Sequence, residues 1–510
     1  MRKWGAFVLI VVILSVLGSY KLMGTQVETE IKEGLAVLDR SPNLQVMLVD
    51  YQRHWFTSRA ILKTRVYVPA QQTVQNGQTY QIPAQNFSFD QTVHIFHGPI
   101  ILGGGKFGLG IGYARTETTL PKQVVEKWNV AFPKSSVQPK VLATVFLKYT
   151  GTSVVTLTVP PFTLLSKEGS QEGTRKLEWL GAESKWRLAS RFNSIKGTLR
   201  FHGLKFQEHD KKGTLGPLTI TYDAVRDKSG IWAGEAGVDF AKIALEDGQG
   251  HNVFTMRGMK IHSTSDVKKD LVGSSAQIHF KQLLFGDLSY GPGTLELSLK
   301  GLNAPTLVRI QQELKAANST QLTAEQRQIT LFGILPKLPE LFGKDAEFEL
   351  KQLHLVLPQG AIGATAKVSI SKATQGAPSH PMEILSRLQA QAHLELPEAL
   401  VQKTMLMIAR NKIQQEVLMR QLLAQQKQSE ASSNVEGSGA LPLKLSEKEV
   451  DLLAGRAVDS RLRAFMQAGI FVKKEHLLTL DLVYQAGKLM VNGKPFDGNL
   501  LESEVSKEGT

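Results

Sequence analysis

The glycine-rich segment LGGGKFGLGIG is the first candidate for chemistry, because Gly103, Gly105 and Gly108 spell GxGxxG. Glycines at this spacing let a backbone approach phosphate groups, and in a dinucleotide site the motif opens a helix whose N–H groups face the phosphates. Here the chain continues as LGIGYARTETTLP, which is no helix start, and Lys106 is followed by Phe107 instead of Ser or Thr. The sequence therefore favours a glycine-rich turn or bulge, and no cofactor is expected.

Histidines are the second candidate. His94 and His97 are three residues apart, but the residues around them are typical of a strand, which places the two side chains on opposite faces. The other histidines are scattered, cysteine is absent, and neither a GxSxG elbow nor a carboxylate pair stands out. The sequence predicts no metal site, no catalytic residue and no enzymatic activity. An unrecognised envelope hydrolase stays open as an alternative, with His97 as its candidate residue, because triads are built in space.

The N-terminal segment WGAFVLIVVILSVLGSY, residues 4–20, carries no charge. At about 1.5 Å rise per residue these residues span roughly 25 Å, near the short limit for a bilayer core. Arg2 and Lys3 precede the segment and Lys21 follows it. The basic N-terminus favours a cytoplasmic start, so we expect a single-pass anchor with the body exported. A cleavable signal peptide is the alternative.

An amphipathic helix is predicted directly after the anchor, at residues 25–40. Thr25 and Glu28 form the capping-box pattern, and Val27, Ile31 and Leu35 recur at helical spacing. Two interpretations stay open: a stalk or membrane-surface helix, or a helix that packs on its own domain.

The sequence pattern beyond this helix predicts mainly β-strands. Segments such as LQVMLVDY at 44–51, ATVFLKY at 143–149, VVTLTV at 154–159 and TLRFHGLKF at 198–206 alternate with period two, which is typical of antiparallel sheet with one buried face. The predicted fold class is α+β: an N-terminal transmembrane helix, then an elongated, mainly antiparallel β-rich body with several packed helices in the C-terminal part. The expected organisation is anchor 1–23, stalk helix 24–43, β-rich periplasmic region 44–304, helical insertion 305–345, strands plus long helix 346–423, linker 424–445, and C-terminal helix with β-hairpin 446–510. Ser446 and Glu449 form a second capping-box pattern, at the start of the last helix.

Charge and composition indicate which classes of binding partner to expect. Hydrophobic residues make up 42% and charged residues 21%, which is normal for a globular protein, and the formal net charge is +14. The basic residues are dispersed among acidic ones, so nucleic acid is not an expected partner. An anionic lipid surface suits this charge better.

Short motifs at both ends of the chain resemble those of the YdgA-like family, bacterial envelope proteins of unknown function. The YQRHWFTSRA segment resembles a Y-x-R-G-x-F-x-S pattern, with His54 in place of the usual glycine. The resemblance implies a Gram-negative inner-membrane protein with a periplasmic body, and it implies no activity. The motif residues, for which packing and turn roles are expected, are Tyr51, Arg53, Trp55, Phe56, Ser58, His97, Gly98, Pro99, Tyr484, Gly487, Asn492 and Gly493.

A non-catalytic binding or structural role in the envelope is the predicted function. In one version the period-two strands form an apolar groove that holds phospholipid acyl chains, as in proteins of the AsmA type. A sealed core is the favoured interpretation of the same strands, because sheet faces normally pack on helices and the chain supplies several. Exposed strand edges also allow a homo-oligomer or another envelope protein as partner.

Overall fold

The protein is mostly antiparallel β-sheet with a few helices. The computed structural model describes residues 2–38, 44–75, 78–119, 122–133, 138–166, 175–317, 333–370, 386–431 and 446–496. The chain divides into a first unit, residues 1–265 with 283–287, and a second unit, residues 266–282 with 288–510.

The described elements are as follows in chain order. The helices are α1 (Arg2–Leu38), α2 (Lys122–Ala131), α3 (Ala304–Ala317), α4 (Leu338–Leu341), α5 (Glu398–Ala431) and α6 (Glu447–Gln467), with 3-10 turns at Ser190–Phe192 and Leu335–Lys337. The strands are β1 (Leu44–Arg53), β2 (Thr57–Val68), β3 (Gln71–Gln75), β4 (Gln78–Ile82), β5 (Gln85–His97), β6 (Ile100–Gly103), β7 (Lys106–Leu109), β8 (Gly112–Thr119), β9 (Lys140–Leu147), β10 (Ser153–Val159), β11 (Phe162–Leu165), β12 (Arg175–Trp179), β13 (Ala182–Leu188), β14 (Ser194–Phe201), β15 (Leu204–Glu208), β16 (Lys211–Leu215), β17 (Leu218–Arg226), β18 (Trp232–Glu246), β19 (Asn252–Lys268), β20 (Leu271–Phe280), β21 (Gln282–Phe285), β22 (Leu288–Tyr290), β23 (Gly293–Asn303), β24 (Phe342–Leu357), β25 (Gly360–Ile370), β26 (Leu388–Pro397), β27 (Val472–Lys474), β28 (Leu477–Gln485), β29 (Lys488–Val491) and β30 (Lys494–Pro495).

Helix α1 is continuous, so the prediction that a separate helix begins at Thr25 was wrong. The Thr25 hydroxyl donates to the Lys21 carbonyl, 3.2 Å away, which is the back-bonding pattern of a helix interior instead of a cap. Nothing in the intervening sequence stops the helix, because only Pro is strongly helix-breaking and none is present there. Within the residues that the structure describes, no helix combines the length and apolar character required to cross a membrane.

The main sheet of the first unit has the strand order β1–β2–β5–β8–β9–β10–β13–β14–β17–β18–β19, all antiparallel. Helix α1 packs on β1, β5 and β8. The core beneath it joins Val27 of the helix to Ala60, Val93, Ile95 and Leu147 of the sheet. This part of α1 therefore packs on its own domain, which is one of the two interpretations that the sequence left open.

A line of breaks divides the strands of this sheet. Pro160–Pro161, Leu180–Gly181, His202–Gly203 and Gly216–Pro217 each interrupt what is otherwise one long strand. Beyond the breaks, β11–β12–β15–β16 pair in the same order and join the far half of β18. Trp179 beyond the breaks packs on Phe201 before them, with ring centroids 4.9 Å apart, so apolar packing continues across the breaks.

The second unit has its own antiparallel ladder, β20–β23–β24–β25–β26–β28–β29–β30, with β27 on β28. Helices α5 and α6 contact each other, and Arg410 pairs with Asp451 at 2.7 Å between them. The predicted capping box at Ser446 and Glu449 is confirmed. Helix α5 runs to Ala431, into the expected linker, and residues 432–445 and 497–510 lie outside the described residues.

Candidate functional site: an apolar groove beneath helix α1

An open cavity of about 490 Å³ lies between the C-terminal part of α1 and the sheet of the first unit. Its volume is within the range of about 300–1,000 Å³ that is usual for small-molecule sites. The exposed charged residues Glu30 and Glu33 of α1 lie at its edge. The lining is otherwise dominated by apolar side chains: Val27, Ile31, Leu35, Ala60, Leu62, Val93, Ala114, Ala143, Val145, Leu147, Val155, Leu188 and Phe192. We call this cavity the groove.

Strand alternation explains the lining. In β9, Ala143, Val145 and Leu147 line the groove, while the intervening Thr144 and Phe146 point to the opposite face. The neighbouring strand is in register, with Val155 opposite Val145. Each strand therefore contributes every second residue, and the apolar set falls on the side where α1 lies.

The apolar face continues from the groove across the rest of the sheet. Cross-strand partners carry it from Val155 to Trp186, and then from Leu199 through Ile220, Val238 and Ile261. These side chains are half-buried, so part of each apolar surface meets solvent within the first unit. The groove is therefore one end of a longer apolar face.

The opposite face of the same strands is charged. Arg200 pairs with Glu183 at 3.4 Å, Lys260 with Asp239 at 3.5 Å, and Lys196 also pairs with Asp223. These ion pairs are exposed, and exposed pairs add at most about 1 kcal/mol each. These pairs mark this face as the hydrated side of the sheet, and the half-buried apolar face lies opposite it.

Two of the sequence motifs meet at a buried histidine beneath α1. The Ser58 hydroxyl donates to Nε2 of His97 at 2.8 Å, and His97 Nδ1 donates to the Trp55 carbonyl at 3.3 Å. Ser58 is 3% exposed and His97 is 2% exposed. Burial lowers the pKa of His97, and the positive charge of Arg53 adds to this, while the hydrogen bond to the Trp55 carbonyl acts in the opposite direction.

A Ser–His pair at this distance has the geometry of a nucleophile and its base. Both side chains are buried and the ring lies against the backbone of α1, so the pair supports the packing of this helix. Tyr51 belongs to the same cluster: burial raises the pKa of its phenol, and the neighbouring Ser58 hydroxyl opposes that rise.

The same cluster holds α1 in place. A Cβ atom at Gly24 of α1 would lie 2.8 Å from Cε1 of His97, so the ring packs directly against the helix backbone. Arg53 donates to the Thr25 hydroxyl at 2.9 Å. The Trp55 indole donates to the Leu17 carbonyl at 3.2 Å. The Phe56 ring packs edge-on against Tyr20, with centroids 4.9 Å apart. The motif residues therefore position the helix that forms one wall of the groove.

The His97–Gly98–Pro99 motif forms a fixed turn at the end of β5. The Gly98–Pro99 peptide bond is cis, and the Gly98 N–H donates to the Ile111 carbonyl at 2.7 Å. A Cβ at position 98 would lie 1.7 Å from the Gly110 carbonyl oxygen, so only glycine fits.

The GxGxxG segment forms a hairpin turn between β6 and β7. Gly104 and Gly105 have φ of 61° and 78°, which a two-residue hairpin turn requires, and a strand, β8, follows. His94 is exposed on β5 whereas His97 is buried, as expected for opposite faces. Among the described residues, no group of acidic or histidine side chains is arranged to hold a metal ion.

The C-terminal motif lies in the second unit. Asn492, with φ of 47°, and Gly493, with φ of 76°, form a tight turn, as do Ala486 and Gly487. The Asn492 amide donates to the carbonyls of Gly469 at 2.7 Å and Ile470 at 3.0 Å. This side chain ties the closing hairpin to the segment that follows α6. Tyr484 pairs with Leu489 in the same hairpin.

The sequence motifs do not include the residues of the groove wall, because Ala143 and Val155 have the pattern of ordinary strand positions. The available signal was Val27, Ile31 and Leu35, whose helical spacing marked the face of α1 that needs a partner.

Residues 1–498 match the family described as bacterial protein of unknown function, DUF945, and the chain belongs to that family. No curated protein and no solved structure matches the chain.

Proposed function

We propose that this protein is a membrane-anchored envelope protein with a non-catalytic binding role, and that its groove takes the acyl chain of a phospholipid. The observation that carries the proposal is the open cavity of about 490 Å³, which joins an apolar sheet face that is only half-buried. A ligand without polar groups suits this lining, because each buried CH₂ contributes about 0.8 kcal/mol.

The source of the chain follows from the position of the groove. Helix α1 forms one wall, and the uncharged residues 4–20 lie in the same continuous helix. We propose that these residues are the anchor, in the inner membrane of a Gram-negative bacterium, with the body in the periplasm, as in the YdgA-like family. A lipid that leaves the bilayer then meets the groove directly.

Glu30 and Glu33 at the edge of the groove are exposed, so this edge is the polar side of the opening. An acyl chain between the apolar walls leaves its polar headgroup at the opening, where charged side chains and water meet it. The long apolar sheet face beyond the groove resembles the AsmA type of architecture and supports the same class of ligand by analogy alone.

Photolabelling tests the proposal on the full chain. The protein is reconstituted in vesicles of phosphatidylethanolamine and phosphatidylglycerol that include a phospholipid with a diazirine on its acyl chain. After illumination, peptide mass spectrometry locates the adducts. We expect adducts on β9 and β10, at the groove-facing residues, in addition to adducts on residues 4–20.

Adducts confined to residues 4–20 overturn the groove as a lipid site while they support the anchor. Adducts on the charged face of β13 and β14, at a yield equal to that on the groove-facing residues, mean non-specific labelling and also count against the proposal.

A further inference from the structure

The contacts between helix α1 and the rest of the first unit follow one another along the helix. Leu17 accepts a hydrogen bond from Trp55, Tyr20 donates to the Ile100 carbonyl at 2.6 Å, and further along the helix Gly24 meets His97. The groove comes last, beside Val27 to Leu35. One end of the sheet therefore contacts one side of α1 at Leu17 and Tyr20, where the uncharged segment finishes.

Three connections of the sheet gather at this end. They are residues 54–56 between β1 and β2, residues 98–111 after β5, and residues 148–152 between β9 and β10. Direct contacts join them, since the Tyr149 hydroxyl donates to the Pro99 carbonyl at 2.7 Å and the Ile111 N–H donates to the Leu147 carbonyl at 2.9 Å.

Large apolar side chains point outward from these connections. Trp55 is 49% exposed, Phe56 50%, Tyr149 51% and Leu109 65%. Leu109 shares its hairpin face with Ile100, Leu102 and Phe107, which are also exposed, whereas the other face of the hairpin buries Ile101 completely. We call Trp55, Phe56, Leu109 and Tyr149 the collar.

We propose that the collar is a second membrane contact, which seats the first unit in the headgroup region of the bilayer around the anchor. It rests on the membrane anchorage proposed above and goes beyond it, because a single helix alone leaves the body free to tilt. Trp and Tyr are enriched at membrane interfaces, where an apolar ring and a polar edge meet two environments.

Continuity with the anchor identifies lipid as the occupant. Trp55 and Phe56 of the collar contact Leu17 and Tyr20, where the uncharged segment finishes, so a surface that covers the collar is also next to the bilayer. Lys21 and Lys148 are exposed beside it, as expected for contact with anionic headgroups. A collar on the bilayer also holds the opening of the groove at a fixed height above the lipid.

Depth measurement with single labels tests the collar. The chain has no cysteine, so Leu109→Cys and Phe56→Cys each accept one environment-sensitive fluorophore on the full-length protein. Val253→Cys is the matched control, an apolar side chain 51% exposed at the start of β19, and Val12→Cys reports on the anchor. Each variant is reconstituted in vesicles of phosphatidylethanolamine and phosphatidylglycerol, with nitroxide-labelled lipid or aqueous iodide as quencher.

We expect the Leu109 and Phe56 labels to emit at shorter wavelength, to be quenched by the nitroxide lipid and to lose quenching by iodide. The Val253 label stays accessible to iodide. If the two collar labels behave like Val253 while Val12 lies in the bilayer, the collar is overturned and the anchor stands. If Val12 is also accessible to iodide, both the anchor and the collar fail.

Discussion

Gly24→Ala is the substitution that tests most sharply how α1 is held over the sheet. The new Cβ would lie 2.8 Å from both Cε1 and Nδ1 of His97, well inside the usual carbon contact distance of about 3.5–4.0 Å. The imidazole cannot move away without losing hydrogen bonds, because both of its nitrogens are bonded, one to Ser58 and one to the Trp55 carbonyl. The helix must therefore move away from the sheet.

The magnitude follows from two opposing terms. Replacing glycine by alanine inside a helix gains about 1 kcal/mol from propensity. Forcing a methyl group into a packed contact costs about 1–3 kcal/mol. Gly34→Ala in the same helix gives the first term alone, since no atom lies within 4 Å of its Cβ position. The two variants should differ by about 1–3 kcal/mol, with Gly34→Ala the more stable.

Amide hydrogen exchange on residues 25–35 of the full-length protein measures this difference, because exchange reports local opening. We expect α1 to exchange faster in Gly24→Ala than in Gly34→Ala, by about 5–150-fold for 1–3 kcal/mol. Equal protection in the two variants would show that His97 does not hold the helix, and would refute the reasoning.

Three further predictions concern the motif residues. Ser58→Ala leaves Nε2 of buried His97 unpaired and should lower the stability of β2 and β5 by about 1–3 kcal/mol in hydrogen exchange, whereas exposed His94→Ala should change it by less than about 0.5 kcal/mol. Asn492→Gly keeps the turn but removes the amide donors, so exchange at Gly469 should rise with no change in the first unit. Because burial lowers the pKa of His97, the unfolded chain gains a proton first as pH falls below about 6.5, and the first unit loses stability there. The loss should be smaller in His97→Phe, and an unchanged pH profile would contradict it.

Much of the fold could be predicted from local pattern. Period-two segments at 44–51 and 154–159 became β1 and β10, and the capping box at Ser446 marked the start of α6. Alternation in residues 198–206 predicts a single strand, but the structure breaks it at His202–Gly203, where φ of Gly203 is 131°. Periodicity does not register such a break, because hydrophobic alternation resumes on the far side. The sequence pattern did not predict helix α2, which lies within the region expected to be β-rich.

The site was less accessible to sequence reasoning. The motifs drew attention to His97 and Ser58, and the structure brings these two together although they are 39 positions apart. Their role as support for α1 depends on Gly24, whose lack of a side chain has meaning only once His97 lies against it. The groove depends on how far α1 extends over β9 and β10, and strand order cannot be read from alternation within single strands.

The central claim, that the groove holds an acyl chain, is tested most directly by blocking it. Ala143→Trp fills the groove from β9, and Thr144→Trp places the same side chain on the opposite face of the same strand, one residue away. Both full-length variants are reconstituted with the acyl-diazirine phospholipid, and the adduct yield on β10 is measured. The account predicts loss of β10 adducts in Ala143→Trp with wild-type yield in Thr144→Trp, and equal yields in the two variants would contradict it.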